Sequence, residues 1–145
     1  MPRRGKYKYD VHCFKDVIQA IRKDLGIHSA DIIFQFKPAV TYYGTLLTYH
    51  HTPNKVMSYR VIVDPRQTKE EILKTLCHEL RHCWQFEKRL LKDTFDGHNK
   101  WRGKKYKKVN AQKEWDAYEQ LPWEIDAVEY ESKYVDFIHL IKEKE

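Results

Sequence analysis

The feature that most constrains this chain is the stretch Cys77-His78-Glu79-Leu80-Arg81-His82-Cys83, which contains the pattern H-E-x-x-H inside a segment of helical periodicity. On a helix, positions i and i+4 stand one above the other on a single face. His78 and His82 can therefore both aim an imidazole at one metal ion, with Glu79 beside them and within reach of a water in the metal's open position. Two neutral nitrogen ligands, an open coordination position and a carboxylate that takes a proton are what a zinc hydrolase needs. The competing reading is a surface helix that happens to carry two histidines.

The surroundings favour the first reading. Thr68-Lys69-Glu70-Glu71 fits a capping box, with Thr at the N-cap and Glu at N3. The helix it opens is expected to run to about Leu91. Ile72, Leu73, Leu76, Leu80, Cys83 and Trp84 supply its buried side, and Glu71, Thr75, His78, His82 and Gln85 form a polar stripe. Cys77 and Cys83 project about 100° away from the neighbouring histidines, so both are read as packing residues and not as ligands.

Zinc in a hydrolase takes three protein ligands plus water, so a third ligand must come from elsewhere. Leu121 to Ala127 opens a last helix with Pro122 in its first turn, and Trp123, Ala127, Tyr130, Tyr134, Phe137 and Ile141 recur at helical spacing. Glu124, in that first turn, is the candidate; the alternative is a charge that only stabilises a helix N-terminus. Asp126 and Glu129 are placed to accept the free ring N–H of a ligand histidine and fix its tautomer. His98, in a glycine-flanked loop, is the other candidate for third ligand. His50 and His51, paired in an expected turn, read as solvated.

The rest of the chain reads as α+β. An amphipathic helix is expected from about Asp10 to Leu25, stopped by Gly26. Three strand-like runs follow, Ile32 to Phe36, Val40 to Tyr49 with Gly44 as a bulge candidate, and Val56 to Val63. Short links between them predict a small antiparallel three-stranded sheet. From Asp93 to Tyr118 a long connection is expected, with a hairpin at Trp101–Tyr106 whose aromatics share a face. The 145 residues are a single-domain length, with residues 1–9 as a tail.

The aromatic share of 14% argues against disorder, and the basic N-terminus leads into no apolar signal core. No run of about 18 apolar residues exists, so no membrane partner is expected. Three cysteines without a C-x-x-C pair fit reduced thiols in a cytosol-like compartment. The net charge of +6 is concentrated in Lys100, Arg102, Lys104, Lys105, Lys107, Lys108 and Lys113, with no acid until Glu114. That cluster is either a solvated loop or a contact for nucleic acid or another polyanion, with Trp101 and Tyr106 adding grip.

H-E-L-R-H on a helix, preceded by strands and followed by a helix opening Pro-Trp-Glu-Ile-Asp-Ala, resembles the small zincin metallopeptidases. Nearest are the short phage and bacterial proteins related to the SprT-like and ImmA/IrrE-type peptidases, and the minimal gluzincins. The resemblance covers roughly Val56 to Phe137. It implies a zincin-like fold, zinc on His78 and His82, Glu79 as general base, a protein or peptide substrate and a bacterial or phage-infected cytosol. In gluzincins a glutamate on a following helix completes the site, matching Glu124. The chain lacks the cysteine-rich ribbon of SprT-like proteins and the helix-turn-helix of ImmA/IrrE-type proteins, so their regulatory roles do not carry over. Tyr118, Arg81 and His98 are candidates for stabilising an oxyanion. The rival reading is a nucleic-acid-associated or regulatory zinc-binding module without proteolytic activity.

Overall fold

A computed structural model describes residues 7–38, 43–52 and 55–144, and of His51 only the backbone. The first helix begins where the sequence predicts. The Asp10 carboxylate accepts the N–H groups of His12 at 3.0 Å and Cys13 at 3.3 Å, opening a 3-10 turn at Val11–Phe14 that continues as α1 (Lys15–Leu25). Gly26 ends α1 at φ 67°, a left-handed conformation that glycine adopts without a Cβ penalty. Residues 1–6 of the expected tail lie outside the described residues. Tyr9 does not belong to a tail: it is buried and packs edge-on against Phe14.

The first sheet contains β1 (Ile32–Phe36), β2 (Gly44–Thr52) and β3 (Lys55–Val63) in the order β1-β3-β2. The expected wholly antiparallel arrangement is corrected here, because the sheet is mixed. β1 runs parallel to β3, from Ile32 opposite Tyr59 to Phe36 opposite Val63, and β2 runs antiparallel to it. Burial accounts for the order: β3 carries Val56, Tyr59, Val61 and Val63 into the core, whereas no residue of β1 is fully buried. The most apolar strand takes the centre. Val40–Tyr42, expected in the second strand, and Pro53 and Asn54 lie outside the described residues; His50 and Thr52, expected in a turn, belong to β2, and Lys55 opens β3.

Gly44 opens β2 and is not a bulge; the register shifts lie further along, around Tyr49, His50 and Thr52. What Gly44 provides is a close approach. A Cβ there would stand 2.4 Å from Thr75 Cγ2 and 3.0 Å from the Ile62 carbonyl oxygen.

The capping box of α2 (Lys69–Glu87) forms as expected, with the Glu71 N–H on Thr68 Oγ1 at 3.2 Å and the Thr68 N–H on Glu71 Oε1 at 3.1 Å. The helix stops at Glu87, short of the expected Leu91. Arg89 turns left-handed at φ 59°, and the Leu90 N–H returns to the Gln85 carbonyl. Leu91 then opens β4 (Leu91–Asp93), which joins β5 (His98–Trp101) and β6 (Lys104–Lys107) in an antiparallel sheet. The expected hairpin is therefore two-thirds of a three-stranded sheet. Arg102 and Gly103, both at positive φ, make the tight turn that suits a two-residue hairpin loop.

α3 (Trp115–Glu119) is a short helix within the long connection expected from Asp93 to Tyr118. α4 (Pro122–Tyr130), a 3-10 turn at Glu131–Lys133 and α5 (Tyr134–Phe137) together make up the expected last helix. Tyr130 donates to Asp24 of α1 at 2.7 Å, which ties this run to the main core. The chain is thus α+β, and among the described residues no helix is long and apolar enough to cross a membrane.

Gly44→Ala is expected to cost about 1–3 kcal/mol, the range for forcing a methyl group into a packed site. Thr75→Ser removes the colliding Cγ2 and should recover much of that loss. Denaturant midpoints of the four proteins in this cycle check it, and additive effects would mean that the two groups do not meet.

Candidate metal centre

Two helices build the centre, and each has its own anchor. α2 presents His78 and His82 one turn apart, held in place by the buried Leu76, Cys77, Leu80 and Cys83. Both thiols are free and buried, as packing residues should be. α4 presents Glu124 beside Trp123, which packs against Trp101 at 6.5 Å and Tyr106 at 5.5 Å between ring centres. Trp101 and Tyr106 share a face, as expected, but that face is turned inward. They hold the start of α4.

Glu124 bridges the two imidazoles. Its Oε1 lies 3.1 Å from His78 Nε2 and its Oε2 lies 3.1 Å from His82 Nε2, and the two Nε2 atoms are 3.1 Å apart. One donor atom from each residue falls within 4.8 Å of the others, so the three can hold a metal ion. A tetrahedral zinc site with bonds of about 2.0–2.1 Å sets its donors roughly 3.3 Å apart, close to the spacing observed.

Hydrogen bonds on the far side of each ring prepare the ligand tautomer. Gln85 Nε2 donates to the Trp123 carbonyl at 2.9 Å and to Asp126 Oδ2 at 2.8 Å. Its Oε1 must then face His82 Nδ1, 2.7 Å away, and accept that ring's N–H. His78 Nδ1 likewise donates to Glu131 Oε2 at 2.9 Å. With both Nδ1 atoms committed as donors, each Nε2 supplies the lone pair toward the metal position. Arg81 grips Asp126 with two hydrogen bonds, 2.8 and 3.0 Å long, and lies 3.6 Å over the Trp84 ring.

The charges agree with this geometry. Burial alone would raise the Glu124 carboxyl, but the ring N–H groups of His78 and His82 hold it down to about 2. Burial alone would lower His78, yet Glu124 and Glu131 push it up to about 10. His82 is raised against the same burial by Glu124. Before a metal binds, His78 therefore carries an extra proton at neutral pH, which a divalent cation would displace.

Glu79 is buried at 8% exposure, lines the same cleft as His78 and Glu124, and makes no hydrogen bond or ion pair with a described residue. Burial pushes its carboxyl above the usual range, against the pull of the two imidazoles. A buried carboxylate that is raised and lines the cleft is suited to taking a proton.

The remaining candidates divide. Asp126 acts on His82 only through Gln85. Glu129 is exposed, and the group on the His78 ring is Glu131. Both missed residues had a signal: Gln85 stands three residues after His82, and Glu131 seven after Glu124, each on its partner's helical face. Tyr118 lines the cleft, stacked on Trp115 at 5.7 Å. Arg81 is committed to Asp126, and His98 lies on β5 beside Asp96, outside the cleft lining. His50 packs edge-on between Phe86 and Phe95, half-buried rather than solvated. The side chain of His51 lies outside the described residues.

Gln85→Leu removes the acceptor on the His82 ring and should weaken metal binding about 10- to 100-fold, measured by competition with a chromophoric chelator. The same titration across pH should show affinity rising as pH rises toward about 10, where His78 gives up its proton unaided. A flat profile would mean that the rings bind the metal without releasing protons.

Comparison with protein-family models, with curated proteins and with solved structures finds no match for this chain.

Proposed function

We propose that the chain is a zinc-dependent peptidase of the small zincin type, with His78, His82 and Glu124 as metal ligands and Glu79 as general base. The observation that carries this reading is the Glu79 carboxylate, without a hydrogen-bond or ion-pair partner among the described residues, beside a preorganised pair of Nε2 atoms and a buried glutamate. Two imidazole nitrogens and one carboxylate are a donor set suited to zinc. When bound, the metal supplies a Lewis acid that polarises a carbonyl and acidifies water.

The chain's own residues do the rest. Glu79 takes a proton from the attacking water and returns it to the nitrogen of the leaving amine. Gln85 and Glu131 keep each ring fixed while charge shifts in front of it. Tyr118, on the cleft wall, is the candidate to donate a hydrogen bond to the developing oxyanion. The cleft has a volume of about 1100 Å³, room for several residues of an extended peptide. Tyr43 and Gly44 line it at the start of β2, an outer strand of its sheet. A substrate strand pairing along that edge is drawn past His78 and Glu79, and main-chain hydrogen bonds supply its affinity.

Glu79→Gln tests the assignment. Metal content by elemental analysis should stay at the wild-type level, while cleavage of an unfolded protein substrate falls about 10²- to 10⁴-fold, the usual contribution of a general base. Undiminished cleavage removes Glu79 as the base. An absence of cleavage by the metal-loaded wild type against a broad set of unfolded proteins removes the peptidase reading.

A further inference from the structure

The metal centre leaves one strongly patterned surface unused, the outer face of the β4-β5-β6 sheet. Pairing places Lys92 opposite Lys100 and Lys100 opposite Lys105, so three lysines stand in line across three strands. Strands lie about 4.8 Å apart, and like charges placed directly opposite one another repel. Lys107, opposite His98, lies on the same face. Asp96 pairs with Lys105 at 2.6 Å. Lys92, Lys100 and Lys107 have no acidic partner among the described residues. Arg102 extends the charge to the exposed β5–β6 turn, whereas Lys104, opposite Trp101, lies on the other face.

We infer that this face binds the phosphate backbone of a nucleic acid. A row of repelling ammonium groups is relieved by a partner carrying regularly spaced negative charge. The character of the face decides between a polyphosphate and an acidic protein. The aromatic rings of this sheet, Trp101 and Tyr106, belong to the opposite face and point inward onto Trp123, and Phe95, exposed in the β4–β5 loop, leans edge-on against His50. Protein interfaces rely on buried aromatic or arginine anchors in pockets. A phosphate backbone needs only point charges, which lysine supplies. Lys92, Lys100 and Lys107 do not line the cleft, so the inference stands independently of the proposed peptidase chemistry.

The experiment uses the full chain and a fluorescein-labelled mixed-sequence DNA duplex, with anisotropy followed over about 50–200 mM salt. The expected result is binding that weakens steeply with salt. The triple variant Lys92→Ala, Lys100→Ala, Lys107→Ala should lose at least about tenfold in affinity, and its log–log salt slope should fall by about three, near 0.9 per phosphate contact. A second triple variant, Lys15→Ala, Lys23→Ala, Lys55→Ala, removes equal charge from other elements and should bind like wild type. An equal loss in that control would assign binding to net charge and overturn the inference. So would the absence of binding at the lowest salt, or equally tight binding of a poly-glutamate peptide of matched charge.

Discussion

A carboxylate buried at 5% exposure between two imidazoles is the interaction on which the site depends. A buried charge is tolerated only when it is paired and hydrogen-bonded, and Glu124 meets that condition through both oxygens. The demand spreads outward. Each ring must present Nε2 to Glu124, so each Nδ1 needs an acceptor, and Glu131 and Gln85 supply them. Gln85 in turn needs acceptors for its own amide, which come from Trp123 and Asp126. Arg81 then neutralises Asp126. Nearly every polar side chain between α2 and α4 is thereby assigned by a single requirement.

The small sheet contributes to the centre without touching it. Trp123 immediately precedes Glu124, and its ring is clamped by Trp101 and Tyr106 with Leu91 beneath. The position of the Glu124 carboxylate therefore rests on a hairpin whose opposite face is a row of lysines. One element faces two ways: its inner side fixes where a carboxylate sits, and its outer side is held open to solvent by charge. The alternation of side chains along a strand makes this division of labour available to so short a segment.

Much of the centre was legible in the sequence because helical spacing is short-range and strict. His78, Glu79 and His82 needed only the i, i+4 rule, and Glu124 needed the recognition of a helix start at Pro122. The orienting groups were less legible: Glu129 lies about 140° around the helix from Glu124, whereas the face shared with Glu124 recurs at Glu131. The sheet order failed for a different reason. Pairing between β1 and β3 is a long-range choice, made by how much apolar surface β3 buries, and short links between strands do not encode it. Likewise, Trp101 and Tyr106 were correctly placed on one face, but sequence alternation does not say which face meets the core. Gly44 looked like a bulge because its role lies in Thr75, thirty-one residues away.

The candidate ligands also fall on both sides of a long excursion of the chain, from His82 on α2 to Glu124 on α4, with the whole second sheet and α3 in between. An ion gripping both ends ties that excursion into a closed ring. The tie persists in any state where the ligands stay bound, so the ion acts on the unfolded ensemble much as a cross-link does, restricting how far the two ends can wander. Chelation would then do more than empty a pocket, because it would untie the span that carries the lysine face.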